Sequence, residues 1–459
     1  MIRNGIEAFL ARAVMIKQAQ HSIDLQYYIW KDDITGKILL SLLIEAADRG
    51  VKVRLLLDDL GSKGLDKYIQ ALNTHENIEI RLFNPFLYRK HVLLNFLSDF
   101  SRLNYRMHNK LFIMDRQVAV VGGRNIGDAY FDASPTLEFN DFDVFIIGDV
   151  MERANKSFMD FWNSELVYES SSIINNSSDL PFITQELDAF SKQQKDTEYA
   201  NALRNSPLLE ELLSQNLKWY WGDVNLVYDQ IVKSGSTPEK LKSIVPALSN
   251  AMNETSEELL IISPYFVPGD RLVEQLSGLV RNGIDVTILT NSLASTDVTA
   301  VHAGYKKYRK KLLQNGVKLH EFMPEPSEQR AKKRIFKNKP SVRSSLHAKS
   351  YIFDRKKIFI GSFNLDPRSA NINSENGIIF DNPELGEKVS STIYEALDDY
   401  AYLLDLSTVN NEMGFIENNR ITWFNKYRHQ QPTVDEPGSH FFMSLWIELL
   451  SILPIEQQL

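Results

Sequence analysis

Two distant segments of the chain carry the same polar residues at identical spacing, and this duplication limits the fold more than any other feature. In MHNKLFIMDRQVAVVGGRN, Met107 to Asn125, His108 and Lys110 stand two apart, Asp115 follows five after the lysine and Asn125 seventeen after the histidine. LHAKSYIFDRKKIFIGSFN, Leu346 to Asn364, repeats the pattern with His347, Lys349, Asp354 and Asn364. Small residues occupy the same place in both, Gly122 and Gly123 in one and Gly361 and Ser362 in the other. At about one chance in twenty per position, a five-residue match arises about three times in ten million starts from ordinary composition. Two copies in one chain are therefore a duplication.

The repeat extends upstream. Extended segments IDLQYYIW (from Ile23), RGVKVRLLLDD (from Arg49) and NIEIRLFNP (from Asn77) are matched by LLIISPYFV (from Leu259), NGIDVTILTN (from Asn282) and NGVKLHEF (from Asn315), with helical patterns between them. Asn77 and Gly316 each lie 31 residues before their histidine, so the halves agree in register. Alternating strands and helices predict an α/β fold whose ligands sit beyond the carboxyl ends of the strands, with the two halves facing each other. The expected division is a first unit over 1–165, a partly helical, Ser/Asn/Gln-rich connecting insert over 166–248, a second unit over 249–402 and a tail over 403–459. The 459 residues, 43% hydrophobic and 24% charged, suit a soluble globular chain with sizeable cores. A net charge of −8 disfavours a whole-protein attraction to nucleic acid or an anionic membrane. The chain has no cysteine, which removes disulfides and thiolate chemistry. It shows no apolar run long enough to span a bilayer and no signal-peptide pattern.

Two segments have amphipathic patterns. In KHVLLNFLSDFSRLNYR, a stripe of His91, Asn95, Ser98 and Arg102 opposes Leu93, Phe96, Leu97, Phe100 and Leu103, with Arg89, Lys90, Arg102 and Arg106 flanking. Near the end, Ser444, Glu448 and Ser451 form a narrow polar stripe against Phe442, Leu445, Trp446, Leu449 and Leu453. Such faces suit docking on a core or lying in a membrane interface. The segment Arg330 to Arg343, with seven basic residues and no acid, is either a solvated loop or a headgroup-attracting patch.

Within each motif the histidine and lysine share one face of a strand. Two histidines, two lysines and two asparagines converging on one pocket suit a phosphodiester. The ammoniums and amides donate to the non-bridging oxygens as charge develops, one neutral imidazole attacks phosphorus, and the other protonates the leaving oxygen. No metal or other cofactor is expected, because a lysine two residues from each histidine sets a cation against a metal site.

The paired HxKxxxxD with GG or GS and Asn resembles the phospholipase D superfamily. The runs YYIWKDDITGK, RLLLDD, RLFNPF, SDFSRLNYRMHNK, VGGRNIGDAYF, TNSLASTDV, VHAGYKKYRKKLL and GSFNLDPRS resemble bacterial cardiolipin synthases of the C type over nearly the whole chain. The resemblance implies two pseudo-symmetric phospholipase D-like domains, each a mixed sheet flanked by helices, with one active site at their interface. It implies transphosphatidylation through a phosphohistidine: a phosphatidyl group from phosphatidylglycerol or phosphatidylethanolamine passes to phosphatidylglycerol. By the same resemblance His108, Lys110, Asp115, His347, Lys349 and Asp354 are catalytic, with His108 the nucleophile and His347 the general acid, and Asn125, Asn364, Gly123 and Ser362 are phosphate-binding. Glu375 and Asp141 orient the histidine rings, with Glu138 or Asp143 as alternatives to Asp141. Many members carry amino-terminal transmembrane helices that this chain lacks, so contact with the bacterial inner membrane is expected to be peripheral, without nucleic acid as a partner. The competing readings are a phospholipid hydrolase, in which water intercepts the phosphohistidine, and a nuclease of the same superfamily.

Overall fold

The computed structural model describes residues 1–2, 4–86, 89, 92–174, 179–214, 216–234, 237–324, 343–410, 416–425, 432–440, 443, 447–448, 450 and 456–459. The duplication becomes two sheets of the same plan. In the first, Ser22–Ile29, Lys52–Gly61 and Ile78–Phe83 run parallel, and Leu111–Met114, Val118–Gly122 and Asp143–Ile147 add on antiparallel to the other edge of Ser22–Ile29. In the second, Glu258–Ile262, Asp285–Asn291 and Lys318–Phe322 are parallel, followed by Ser350–Phe353, Lys357–Gly361 and Asn376–Asp381. Gly50, Asn77, Gly283 and Gly316 open the approach to the second and third parallel strand of each sheet, and apolar residues fill the strand centres, as strands covered on both faces require.

The sheets face one another across a common apolar core. Leu111, Val121 and Ile146 of the first pack in one cluster with Leu260, Ile352 and Ile378 of the second, together with helices Val150–Trp162 and Pro383–Tyr400. The outer faces are covered by Gly5–Gln18 and Ile34–Asp48 on one side and by Ile244–Glu254, Gly269–Arg281 and Thr299–Gln314 on the other.

The stretch 166–248 divides between the halves instead of standing apart. Val167–Glu169 ends the first sheet, and Ile183, Leu187, Tyr199 and Leu208 from its helices join the first outer core. Asp223–Tyr228 pairs instead with Asn376–Asp381 at the edge of the second sheet. The tail likewise extends the second sheet, through Ala401–Asn410 and Ile416–Phe424 beside Lys318–Phe322. Beyond it, Ile447 is 1% exposed against Leu293 and Ala303, so that end docks on the core. Phe442, Ser444, Leu445, Trp446, Leu449, Ser451 and Leu453 lie outside the described residues, as does the basic segment apart from Arg343.

The amphipathic segment before the first motif forms the helix Val92–Leu103, with a kink at Asp99 (φ −147°, ψ 42°). Its stripe differs from the expectation. Asn95 is 2% exposed and Phe100 52%. The flanking cations are consumed internally: Arg89 pairs with Asp59 and Asp66, Arg102 with Asp99, and Arg106 with Asp58. The kink rotates the last turn, which turns Phe100 outward and sends Leu103 into the core. His91 and Lys90 lie outside the described residues.

The motif aspartates explain themselves locally. Met114 to Gln117 and Phe353 to Lys356 are two-residue hairpin turns, with Asp115, Arg116, Asp354 and Arg355 all at positive φ and a closing amide bond from Gln117 to Met114 and from Lys356 to Phe353. Aspartate tolerates that backbone region. Each carboxylate also gathers the amides that begin the neighbouring strand: Gln20, His21 and Ser22 donate to Asp115, and Ser256, Glu257 and Glu258 to Asp354. Partial burial raises the Asp354 carboxyl, but these hydrogen bonds outweigh it and leave its pKa below the usual value. Its contribution is therefore complete above the unfolded pKa of about 4 and fades as pH falls through the lower folded value. Asp354→Asn should lower stability at pH 7 by about 1–2 kcal/mol, read from urea unfolding, and the difference should shrink below about pH 4.

Candidate active site

The two motif strands end where the halves meet, and the backbone stitches each to the other half. The His108 amide donates to Ser374 O at 2.9 Å, and the Ser374 amide to Arg106 O at 3.0 Å. Asn376 accepts from the Lys110 amide and donates to its carbonyl, both at 3.0 Å. On the other side Arg343–Leu346 pairs in parallel with Leu137–Asn140, and the amides of His347 and Ala348 both reach Asn140 O at 2.8 Å. Neither histidine segment is placed by its own half alone.

The carboxylates cross over too. His108 Nδ1 lies 2.7 Å from Glu375 Oε2, and His347 Nδ1 lies 2.5 Å from Asp141 Oδ2. Each half thus supplies the acceptor for the other half's imidazole. Asp143 is instead held by Arg12 at 3.0 Å and Arg124 at 3.4 Å, and Glu138 sits on the cross-half strand. Beneath Asp141, a Cβ at Gly123 would fall 2.4 Å from Oδ1, so only glycine fits. At the equivalent place the Ser362 hydroxyl donates to Glu375 Oε2. Gly123 and Ser362, expected on phosphate, therefore lie directly against the two carboxylates.

Both lysines are buried, at 1% exposure each. Lys110 Nζ donates to His108 O at 2.6 Å, and Lys349 Nζ to His347 O, with His347 Nδ1 at 3.0 Å. Asn125 is engaged at both ends, accepting from the Ile29 amide and donating to Tyr130 Oη at 2.9 Å. Asn364 Oδ1 is buried and has no hydrogen-bond partner among the described residues. Asp115 and Asp354 bond the starts of the strands whose far ends approach the histidines, about 20 Å away at strand rise, so their role is architectural.

Several neighbours were not singled out from sequence. Tyr28 meets the His108 ring edge-to-face at 4.9 Å, and Tyr130 and Phe139 pack on His347 at 5.2 and 5.0 Å. Asp58 accepts from the amide of Met107, and Asn291 from that of Leu346, at 2.9 and 3.0 Å. These equivalent residues pin the position just before each histidine. Their signal was the shared end of the second parallel strand, RLLLDD and TILTN, which register alone aligns.

Electrostatics separates the two histidines. Burial, then the charges of Lys110, Lys349 and His347, hold His108 well below its ordinary value and keep it neutral. Burial and Lys349 also lower His347, but Asp141 opposes them. Burial raises Asp141, yet His347, Lys349 and Arg124 more than compensate and leave it ionised. Burial pushes Glu375 up to about 7 despite Lys110 and Ser362, and it takes Lys349 down to about 8.

Comparison with known proteins identifies the family. The family model described as the cardiolipin synthase, phospholipase D-like domain matches residues 13–162 and 248–396. The chain is 40% identical over 460 residues, 99% of its length and 94% of the relative's, to cardiolipin synthase C of Escherichia coli K12. The chain belongs to the cardiolipin synthase family of phospholipase D-like enzymes. A cardiolipin synthase of Halalkalibacterium halodurans is 27% identical over 86% of the chain and 65% of its own length. In fold, a phosphatidylserine synthase from Haemophilus influenzae superposes with a TM-score of 0.58 at 14% identity, covering 88% of this chain and 86% of that one. Like others of its family the chain is an enzyme with two phospholipase D-like regions, and no described helix is long and apolar enough to cross a membrane.

With the carboxylates crossed, Glu375→Gln should keep the ring hydrogen bond to His108 while removing the charge behind it. Ionised Glu375 is the form that accepts Nδ1–H and leaves Nε2 free, so kcat/KM should rise with pH through about 7 in the native enzyme. The variant should lose that limb and about 10³-fold or more in kcat, with an unchanged melting curve. A retained limb at pH 7 would remove Glu375 from this role.

Proposed function

We propose that the enzyme makes cardiolipin by transphosphatidylation, with His108 as nucleophile and His347 as general acid and base. The observation that carries this is the crossed pair His108–Glu375 and His347–Asp141: burial lowers both imidazoles, His108 further, while ionised Asp141 opposes the shift at His347 and favours its protonated form. Such a pair offers a base and an acid from two identical side chains.

In the first step His108 Nε2 attacks phosphorus of a bound phospholipid. The P–N bond forms, the bond from phosphorus to the headgroup oxygen breaks, and His347 Nε2–H gives its proton to that oxygen. The freed headgroup alcohol departs, glycerol from phosphatidylglycerol or ethanolamine from phosphatidylethanolamine. In the second, a glycerol hydroxyl of phosphatidylglycerol gives its proton to His347 and attacks phosphorus, and the P–N bond breaks to restore His108. Cardiolipin results. Lys110, Lys349 and the Nδ2 amide of Asn364 donate to the non-bridging oxygens, which gain charge in both transition states. The lysines beside each histidine donate where a divalent ion otherwise would, burial lowering both from their ordinary values, so activity should be unchanged in EDTA. Loss restored only by a divalent ion would overturn the metal-free route.

The substrates lie in a bilayer, so the enzyme works as a peripheral protein on the bacterial inner membrane. Phe100, 52% exposed on the helix leading to His108, and Leu241, 45% exposed on the adjoining hairpin, give that end an apolar rim.

Mass spectrometry of lipids after incubation with phosphatidylglycerol vesicles, with and without phosphatidylethanolamine, tests the reaction. Cardiolipin with glycerol is expected, or with ethanolamine for the mixed reaction. His108→Ala and His347→Ala should each reduce product by about 10³-fold or more while melting normally. Phosphatidic acid alone would replace this reading with hydrolysis, and cleavage of nucleic acid without any lipid product would replace it with a nuclease.

A further inference from the structure

On the outer side of the second sheet, helices Ile244–Glu254 and Gly269–Arg281 leave a groove of about 340 Å³ between them. Val245, Leu248, Met252 and Leu272 form its walls, and Phe363 and Leu365 its floor. Those floor residues flank Asn364 in the chain and follow Ser362, whose hydroxyl bonds Glu375. The groove and the motif loop are therefore the two sides of one short segment.

The rim has the opposite chemistry. Lys242 and Arg271 line the groove with exposed side chains, and neither has an ion-pair partner among the described residues. Lys242 is steadied by the neutral Asn371 Oδ1 at 2.6 Å. The acid at the groove's inner end, Asp366, is 5% exposed and bonds the Ser369 amide at 2.6 Å as the cap of Pro367–Asn371. Among the described residues, none forms an ion pair with either cation.

We propose that this groove takes one acyl chain of a long-chain anionic phospholipid, with the lipid phosphate between Lys242 and Arg271. Its volume equals that of about eleven waters in the liquid, which accommodates much of one hydrocarbon chain. Apolar walls ending at two unpaired cations match a chain ending at a phosphate. The inference rests on the lipid chemistry proposed above and adds a second lipid contact outside the catalytic cleft, one that would hold the enzyme on the bilayer beside its substrate.

Phosphatidylglycerol carrying a diazirine near the end of one acyl chain, presented in vesicles and photolysed, tests it by peptide mapping. Label is expected on 244–254 and 269–281. Ser249→Trp, which fills the groove from one wall, should cut that label about tenfold without shifting the melting curve. Lys242→Gln with Arg271→Gln alters only exposed rim side chains and should cut it about fivefold, so it carries the test if the tryptophan variant does not fold. Absence of label on both helices, or undiminished label in both variants, would overturn the groove. Cardiolipin formation without groove labelling defeats this inference alone. Groove labelling by a protein that makes no cardiolipin defeats the proposed reaction and leaves the groove standing.

Discussion

Everything at the centre of this molecule depends on an exchange: each imidazole takes its carboxylate from the opposite half, His108 from Glu375 and His347 from Asp141. The main chain repeats the exchange, through Ser374 and Asn376 on one side and Asn140 on the other. Neither half owns a finished site. A slip of one half against the other would break the ring hydrogen bonds and the backbone bonds together, and the apolar core shared by both sheets resists that slip. Burying two lysines, two carboxylates and two histidines is tolerable only because the charges nearly balance and each finds a partner.

A duplicated fold begins with two equal histidines, yet phosphoryl transfer needs an acid and a base at one pH. The departures from symmetry supply the difference. Gly123 leaves Asp141 hard against the strand, close to Arg124 and Lys349, and it stays ionised. Ser362 stands at the matching place and donates to Glu375, yet burial still takes that carboxyl up to about 7. Before the histidines the halves differ again. A charged Asp58–Arg106 pair pins Met107, whereas neutral Asn291 pins Leu346. The same backbone plan thus sets two electrostatic environments.

What could be seen in the sequence follows from what a linear pattern encodes. Equal spacing from His to Asn needs equal strands and turns, so the duplicated sheets and the meeting of His108, Lys110, His347 and Lys349 were legible. The crossing of the carboxylates was not, since spacing within a half carries no information about which histidine it serves. Asp141 stands 33 residues after His108 while Glu375 stands 28 after His347, and only the three-dimensional exchange shows them to be counterparts. Asp115 and Asp354 show the opposite ambiguity. Constant position in a motif reads as chemistry, but two-residue turns at positive φ demand constancy too. The helix 92–103 departs from the periodicity argument: it breaks at Asp99, Asn95 is buried and Phe100 is exposed.

Those two kinds of constancy place different demands on the chain. The turn aspartates need only a short acceptor that tolerates the left-handed region, and their bonds to the amides at 20–22 and 256–258 fix where each first strand begins. From those anchors the strands carry a fixed rise to the cleft, where the tolerance narrows to the length of a single hydrogen bond. A change at the turn is therefore felt at the histidines only as a shift of whole strands, which the shared core opposes. A change at Gly123 or Ser362 acts directly on a carboxylate. The molecule separates its stability from its chemistry along the length of one strand, with the aspartate at one end and the imidazole at the other.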